Sequence, residues 1–208
     1  MADLTALTAA VEAGNRTVAA AETRAALEAG ADPRDVLAAM TAAMDVVGRK
    51  FQEGELFVPE MLIAARAMKS AMEILEPVLV DAGVRPEHRA VVGTVEGDLH
   101  DIGKNLVGMM WKGAGIEVID LGVNVSAGKF VDAAREHDAR LVGVSALLTT
   151  TMPNMRAVVE AMRAADLDAR VVIGGAPTTP EFAAQIGADG YAQDAGAAVD
   201  LARRLLAG

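Results

Sequence analysis

The sequence of 208 residues contains no cysteine, and aromatic residues make up only 3% of it. Without cysteine the chain cannot form disulfides, hold zinc or iron–sulfur clusters through thiolates, or use a thiol nucleophile. Basic residues are also few, because 19 Lys and Arg against 29 Asp and Glu give a formal net charge of -10. Since nucleic-acid binding requires a basic surface and often aromatic rings for base stacking, we expect no nucleic-acid partner.

Long apolar runs are missing too, although hydrophobic residues account for 52% of the chain. The apolar stretches are short and interrupted by charge, well below the roughly 18 residues that a transmembrane helix needs. Residues 1–15 show no basic flank followed by an apolar run, so they do not match a secretion signal. We therefore expect a cytoplasmic protein that does not contact a membrane.

The uneven distribution of glycine predicts two domains. Only five of the 20 glycines lie in residues 1–84, and the change coincides with a polar turn at residues 81–88 that contains Pro86. Polar turns with proline separate structural elements. We therefore predict one domain over residues 1–84 and a second over residues 85–208.

Residues 1–84 predict a bundle of four amphipathic helices. Gly30 is placed to end the second helix, and Asp32 followed by Pro33 is typical of the start of the third. Apolar residues repeat at helical spacing along the third and fourth helices. Four such helices joined by short loops form a bundle, and the methionines on their apolar faces are more often core residues than cofactor contacts.

Residues 85–208 alternate between short β-branched runs and amphipathic segments. Five strands are predicted, near residues 90–95, 116–120, 141–145, 171–173 and 190–191. Continuous apolar strands separated by helices indicate a parallel sheet that is covered on both faces. The predicted fold class is α/β, with a doubly wound, Rossmann-like or flavodoxin-like, five-stranded parallel sheet preceded by the four-helix bundle.

Four polar or glycine-rich loops follow the predicted strands, at residues 97–105, 145–153, 174–179 and 192–195. In a doubly wound sheet, ligands bind beyond the carboxyl ends of the strands. All four loops should therefore meet at one edge of the sheet, where we expect the functional site.

The first of these loops carries a candidate metal ligand. The spacing of Asp98 and His100 lets the carboxylate turn back onto the imidazole, which fixes the tautomer and leaves the other ring nitrogen free as a base or a metal ligand. The alternative is an ordinary solvated loop histidine, which is how we interpret His88 and His137.

Other residues of these loops allow a structural interpretation beside a functional one. Gly174 and Gly175 either admit a ligand close to the backbone or form a tight strand–helix turn. The threonines at 149–151 either donate hydrogen bonds to a ligand or cap the following helix. The glycines do not spell a dinucleotide fingerprint, and no phosphate-binding loop of the G-x-x-x-x-G-K-[ST] type occurs.

Three motifs nevertheless occur in order, each on an expected loop: DLHDIG at 98–103, SAL at 145–147 and GG at 174–175. Together they resemble the D-x-H-x-x-G, S-x-L and G-G signature of cobalamin-binding domains. Residues 51–68 resemble the helical cap that precedes this domain in methionine synthase and in the corrinoid proteins of methyltransferase systems. The resemblance covers essentially the whole chain and is closest to a free-standing methyltransferase corrinoid protein.

The resemblance implies that cobalamin binds with its dimethylbenzimidazole tail displaced from cobalt and inserted into the α/β domain. His100 would then be the lower axial cobalt ligand, and Asp98 would bond its other ring nitrogen. Thr151 stands where methionine synthase has the serine that closes this relay. The Asp98–His100 unit could thereby couple protonation to the oxidation state of cobalt.

The resemblance also implies further cofactor contacts. Phe57 is the candidate for covering the upper, methyl-bearing face, with Met61 as a second candidate, and residues 81–88 are the expected hinge of a moving cap. The expected contacts in the α/β domain are Gly103 in the first motif, Ser145, Leu147 and Thr149 beside the nucleotide tail, and Gly174 and Gly175 at its buried end.

The implied function is that of a carrier without catalytic activity of its own. A methyl group would move on cobalt from a substrate:corrinoid methyltransferase to a second enzyme, either a corrinoid:tetrahydrofolate or a corrinoid:thiol methyltransferase, and a reductive activator is expected as a further partner. Methanol, methylamines, glycine betaine and aryl methyl ethers all remain open as donors.

Three other protein classes fit the pattern less well. An adenosylcobalamin-dependent light or cofactor sensor would carry a DNA-binding domain ahead of the cap, but no basic recognition helix occurs in the sequence. The small subunit of a cobalamin mutase would usually lack the helical cap. A receiver-like phosphoacceptor domain would end its third strand with aspartate, where this chain has Ser145.

Overall fold

The computed structural model describes residues 3–83 and 86–207, which form two compact units. One unit comprises the chain up to Glu87 together with Gly113–Gly115, and the other comprises His88–Lys112 and the chain from Ile116 onward. The predicted domain boundary falls on residues 84 and 85, outside the described residues, as does the middle of the predicted hinge at 81–88. Both therefore stay predictions.

The first unit is built from the helices α1 (Thr5–Glu12), α2 (Arg16–Glu28), α3 (Pro33–Gln52) and α4 (Val58–Asp81). Each helix packs against the other three. The start of α3 follows from its sequence, because the Asp32 carboxylate accepts a hydrogen bond from the Arg34 N–H at 2.8 Å and Pro33 occupies the first turn. The predicted bundle of four helices is confirmed.

The second unit contains the strands β1 (Arg89–Thr94), β2 (Glu117–Asp120), β3 (Leu141–Ser145), β4 (Arg170–Gly174) and β5 (Gly190–Tyr191). The helices that alternate with them are α5 (Ile102–Gly113), α6 (Ala127–Glu136), α7 (Met152–Ala164), α8 (Pro180–Ile186) and α9 (Ala195–Leu206). The middle strands are rich in valine and are almost completely buried, as expected of strands that are covered on both faces.

All strand pairs are parallel, and the strand order is β2-β1-β3-β4-β5. The predicted doubly wound, five-stranded fold is therefore confirmed, in its flavodoxin-like variant. In this order the direction of winding reverses between β1 and β3, so the loops after these two strands flank the crevice in which such folds bind ligands.

The α/β unit has a well-packed interior. Phe130, Met155 and Ile173 are among the largest side chains of its core. Gly143 in β3 leaves space for the only tryptophan, because a Cβ at this position would lie 2.7 Å from the ring of Trp111. Trp111 is buried, so its fluorescence reports on the packing of this unit alone. Among the described residues, no helix combines the length and the apolar character needed to cross a membrane.

Candidate functional site

Two loops meet at the point where the winding of the sheet reverses. The first, residues 95–101, follows β1, and the second, residues 146–151, follows β3. The Val95 N–H donates a hydrogen bond to the Ser145 carbonyl at 3.0 Å, which continues the pairing of the two strands to the start of both loops. The loops are thus held side by side at the carboxyl edge of the sheet.

The predicted contact between Asp98 and His100 is present in the structure. The Oδ1 atom of Asp98 lies 2.7 Å from the imidazole Nδ1 of His100 and also accepts the His100 backbone N–H at 3.0 Å. Asp98 is completely buried, whereas the His100 side chain is 51% exposed. Within the described residues no hydrogen bond engages the Nε2 atom of His100, which is therefore available to a ligand.

The second carboxylate oxygen of Asp98 joins the first loop to the second. It accepts hydrogen bonds from the N–H groups of Leu147 at 2.8 Å and Leu148 at 3.2 Å. The Thr151 hydroxyl lies 2.8 Å from the same oxygen. Thr151 is thus within hydrogen-bond distance of Asp98, as the serine at this position would be, and Asp98 connects His100 to the loop that follows β3.

The surroundings of Asp98 determine the tautomer of the imidazole. Burial raises the pKa of the Asp98 carboxyl, but the hydrogen bonds from His100, Leu147 and Thr151 outweigh burial and hold this pKa well below its usual range. The side chain is therefore an ionised carboxylate, which can only accept hydrogen bonds. It follows that Nδ1 of His100 carries a proton, and that in the neutral imidazole Nε2 presents the lone pair.

Apolar side chains on the same two loops are exposed to an unusual extent. Leu99 is 71% and Ile102 is 75% exposed, and Leu147 and Leu148 are both about two-fifths exposed. Exposed apolar residues that occur together mark a surface that binds an apolar partner or ligand. Of these four residues, only Leu147 was expected at the site from the sequence. The other three could have been found because each is an apolar residue within an otherwise polar segment.

The glycines of the three motifs are required for different reasons. Gly175 has a φ of 126°, and a Cβ there would overlap the carbonyl oxygen of Ala146, so the backbone by itself demands glycine at this position. A Cβ on Gly174 would lie 3.1 Å from the carbonyl oxygen of Ala192. Gly103 lies in the first turn of α5, and a Cβ there would meet nothing within 4 Å, so the protein itself does not require glycine at this position.

The remaining residues expected at the site differ in accessibility. Ser145 ends β3, where it pairs with Thr94, and is partly buried, while Thr149 is exposed on the following loop. In the helical unit, Phe57 precedes α4 and is 67% exposed, whereas Met61 is fully buried. Of the two candidates for covering a cofactor, only Phe57 therefore offers an accessible side chain.

Three supports of the His100 loop were not anticipated from the sequence. The Thr94 hydroxyl donates to the His100 carbonyl at 2.8 Å. Asn124 accepts the Gly97 N–H at 2.8 Å through its side chain. Lys104, in the first turn of α5, is buried and ion-paired with Asp120. Thr94 contacts His100 within one segment, six residues along the chain, whereas Asn124 and Asp120 reach their partners because β2 lies beside β1.

Each of the two units matches a known family of cobalamin-binding domains. Residues 88–200 match a family model described as a B12 binding domain, and residues 4–76 match a second model with the same description. The first match covers the strands, helices and loops that build the site, and the second covers the helical bundle.

Individual proteins are similar over most of the chain. A corrinoid protein of Desulfitobacterium hafniense is 43% identical over 176 residues, which are 82% of this chain and 82% of that protein. The dimethylamine corrinoid protein 1 of Methanosarcina acetivorans is 42% identical over 180 residues, 85% of this chain and 84% of that protein. The crystal structure of the methanol:cobalamin methyltransferase complex from Methanosarcina barkeri contains a chain that matches with a TM-score of 0.87 and 30% identity, covering 98% of this chain and 79% of that one.

Proposed function

Because the chain belongs to the corrinoid proteins with a B12-binding domain, we propose that it carries a methyl group between two methyltransferases. Its cofactor is a corrinoid. The observation that supports this function best is the half-exposed imidazole of His100, whose Nδ1 is held by a buried carboxylate and whose Nε2 is available. A histidine oriented in this way is suited to ligate a first-row transition metal.

The residues at the carboxyl edge fit a corrinoid in two further respects. A corrin ring is a large, mainly apolar surface, and the exposed Leu99, Ile102, Leu147 and Leu148 offer apolar contacts beside the imidazole. In addition, the space beside Gly103 is not used by any protein atom within 4 Å of an added Cβ, which leaves room for a bound group at this helix start.

When bound, the corrinoid supplies a cobalt ion that can accept a methyl group from one partner and give it to another. The chain contributes the environment for this exchange. Asp98 fixes the tautomer and the orientation of the His100 ring, and Thr151 with the two backbone N–H groups of the second loop keeps the carboxylate ionised. We propose that Nε2 of His100 is the lower ligand of the cobalt, with the tail of the cofactor displaced.

The tail would occupy the edge of the sheet beyond β3 and β4. Ser145, Leu147 and Thr149 are the proposed contacts along the tail, and Gly174 and Gly175 are the proposed border of its inner end. Gly175 would shape this border through its backbone, because its conformation places the start of the loop after β4 against Ala146. The Thr151 hydroxyl lies within hydrogen-bond distance of Asp98, so we propose that it contributes to the site through this carboxylate.

Phe57 is proposed to shield the upper face of the corrinoid. The N-cap position before α4 favours a small residue with a side-chain acceptor, and a phenyl ring supplies none. The Glu60 carboxylate instead accepts the Phe57 N–H at 3.1 Å. An exposed aromatic ring that does not serve the helix start is therefore available for another role.

The proposed partners follow from the carrier role. They are a substrate:corrinoid methyltransferase, a corrinoid:tetrahydrofolate or corrinoid:thiol methyltransferase, and a reductive activator, all of them in the cytoplasm. The names of similar proteins refer to dimethylamine and methanol. Methylamines and methanol are therefore the donors to test first.

Reconstitution of the protein tests the proposed function. The chain is loaded with methylcobalamin or with adenosylcobalamin, passed through a desalting column, and its visible spectrum is recorded in the dark and after illumination. The loaded, reduced protein is then offered isotopically labelled methanol or dimethylamine together with a methanol or dimethylamine methyltransferase and a corrinoid:thiol or corrinoid:tetrahydrofolate methyltransferase. We expect label to appear on the protein and to pass to a thiol or to tetrahydrofolate. A strong preference for the adenosyl form together with light-dependent oligomerisation would favour a sensor instead.

Replacing Gly103 with alanine tests whether glycine is needed at this position for cofactor binding and not for folding. We expect the free energy of unfolding of the cofactor-free protein to stay constant or to rise by up to about 1 kcal/mol, since alanine favours helix over glycine. Corrinoid affinity should fall by roughly tenfold or more, because the added methyl group overpacks the bound complex. The control is Gly128→Ala, which changes the second residue of α6 and also meets nothing within 4 Å. Equal corrinoid affinities of the two variants would refute the contact.

Replacing Phe57 with serine tests the shielding of the upper face. A serine N-cap should stabilise the start of α4 by about 1 kcal/mol, while the reduced corrinoid should be oxidised by air severalfold faster. Both are measured on one sample, by thermal denaturation and by visible absorbance. Val80→Ser is the control, since Val80 is equally exposed near the other end of α4. An oxidation rate that does not change would leave Phe57 without this role.

A further inference from the structure

Lys104 is a buried cation at the start of α5 that the proposed function does not use. Its side chain is 1% exposed, and the ammonium group lies 2.6 Å from Oδ2 of Asp120 and 2.6 Å from the side-chain oxygen of Asn105. Both carboxylate oxygens of Asp120 accept from it. A buried ammonium group is stable only when it is paired and hydrogen-bonded, so this contact fixes α5 to the end of β2.

The loop that follows β2 also holds the other side of the His100 loop. The Asn124 side chain accepts the Gly97 N–H at 2.8 Å, and the Asn124 N–H donates to the Asp98 carbonyl at 3.0 Å. Asn124 has a φ of 54°, a left-handed conformation that asparagine tolerates better than most residues. Asp120 stabilises the same loop by accepting the Gly122 N–H at 2.9 Å.

The chain around His100 is therefore held at two places. Asn124 binds the residues just before His100, and the Lys104–Asp120 pair holds the helix turn just after it. We propose that the Lys104–Asp120 pair is a positioning device that holds the start of α5, and with it the His100 loop, so that the imidazole presents its Nε2 in one orientation. This inference rests on the proposed role of His100 as a ligand. It goes further by assigning a role to residues that touch neither the imidazole nor Asp98 in the described structure.

The Lys104–Asp120 pair can influence the orientation of the His100 ring because it lies close to His100 along the chain. Asp98 holds the imidazole ring through one hydrogen bond to Nδ1, and the His100 backbone is held by Asp98 through its N–H and by Thr94 through its carbonyl. The direction in which the ring points also depends on the position of the chain that follows His100. Ile102 begins α5 directly after the His100 loop, and Lys104 lies two residues further along in the same turn. Releasing Lys104 from Asp120 removes the constraint on this turn but leaves every hydrogen bond of Asp98 in place.

The test uses Lys104→Met, which keeps a long apolar stem and removes the ammonium group. Asp120 is 43% exposed, so water can solvate the carboxylate that is left. The matched control is Lys112→Met, the same substitution on the exposed last turn of the same helix. Circular dichroism verifies folding, and if Lys104→Met does not fold, Asp120→Asn takes its place, because it removes the charge and keeps an acceptor for the Gly122 N–H.

The first measurement needs no cofactor. The chain has three histidines, so ¹⁵N-labelled histidine gives few imidazole signals in an NMR spectrum of the cofactor-free protein. We expect the His100 signals to broaden or to double in Lys104→Met, while those of His88 and His137 stay unchanged and Lys112→Met resembles the wild type. Unchanged His100 signals in a folded Lys104→Met or Asp120→Asn protein would overturn the proposal.

The second measurement uses the loaded protein in its cobalt(II) form. We expect the ratio of EPR signal without nitrogen splitting to signal with it to rise about tenfold in Lys104→Met, as for the loss of one charge-assisted contact. A ratio equal to that of the wild type would count against positioning. A wild-type spectrum without any nitrogen splitting would instead refute the ligand role of His100, and the NMR measurement would then decide on Lys104 by itself.

Discussion

Replacing His100 with alanine should abolish the nitrogen splitting in the EPR spectrum of the cobalt(II) form of the loaded protein. Among the described residues of the site, the His100 imidazole is half exposed, and its Nε2 points away from Asp98, which binds the other ring nitrogen. Removing it takes away the proposed lower ligand, and no other histidine is close in the sequence to replace it. We expect the whole EPR signal to change to the form without nitrogen splitting, so that the fraction of cobalt(II) with a nitrogen ligand falls by more than tenfold.

The other two histidines provide the controls. His88→Ala and His137→Ala alter a residue at the start of the α/β unit and the C-cap of α6, respectively, so their spectra should match that of the wild type. Corrinoid should still bind to His100→Ala, because the proposed contacts of the tail with Ser145 and Thr149 are unaffected. Labelling the histidines of the wild type with ¹⁵N should change the splitting, because ¹⁴N and ¹⁵N differ in nuclear spin. A splitting that does not respond to this label would exclude His100 as the ligand, whereas a loss of all bound corrinoid from His100→Ala would show that the imidazole governs binding.

Much of this site could be predicted from the sequence because its central contact is local. Asp98 and His100 are two residues apart, and a loop of this length brings the carboxylate to Nδ1 without help from the rest of the fold. Thr151 was assigned to the relay by the resemblance to methionine synthase, which has a serine at the matching position. The start of α3 could be predicted for the same reason, since Asp32 and Pro33 act within one helical turn.

The supports of the site could not be predicted, because they depend on strand order. The alternation of strands and helices does not reveal that β2 lies on the outer side of β1, and only this placement brings Asp120 to Lys104 and Asn124 to Gly97. A buried lysine also contradicts the ordinary expectation for its residue type. Met61 is buried in α4; since a methionine at helical spacing fits a core as well as a cofactor face, its contact with the cofactor stays a prediction.

Replacing Asp98 with asparagine should remove the same nitrogen ligand while leaving the imidazole in place. If the amide oxygen faces Leu147 and Thr151, the amide NH₂ faces His100, whose Nδ1 must then accept a hydrogen bond instead of donating one. The ring proton moves to Nε2, which can no longer ligate a metal. We therefore expect the EPR spectrum of Asp98→Asn to resemble that of His100→Ala, and Asp101→Asn, on the exposed neighbour, to leave the splitting intact.

The same substitution should cost stability, because the ionised carboxylate accepts hydrogen bonds that one amide oxygen cannot replace. The His100 N–H in particular would face another donor. We expect a loss of about 3 kcal/mol in the free energy of unfolding at neutral pH, in the range for buried groups that lose charged hydrogen-bond partners. Urea denaturation followed by the fluorescence of buried Trp111 measures this loss in the α/β unit alone.

The loss should depend on pH in a direction fixed by the carboxyl group. The pKa of Asp98 is lower in the folded chain than in the unfolded chain, where it takes its ordinary value of about 3.9. The stabilisation is therefore complete above that value and declines as the pH falls below it, because only the unfolded chain then gains a proton. The difference in unfolding free energy between the wild type and Asp98→Asn should accordingly shrink as the pH falls below about 5. A difference that grows in this acidic range would mean that the neutral acid, and not the carboxylate, is the form that holds the two loops together.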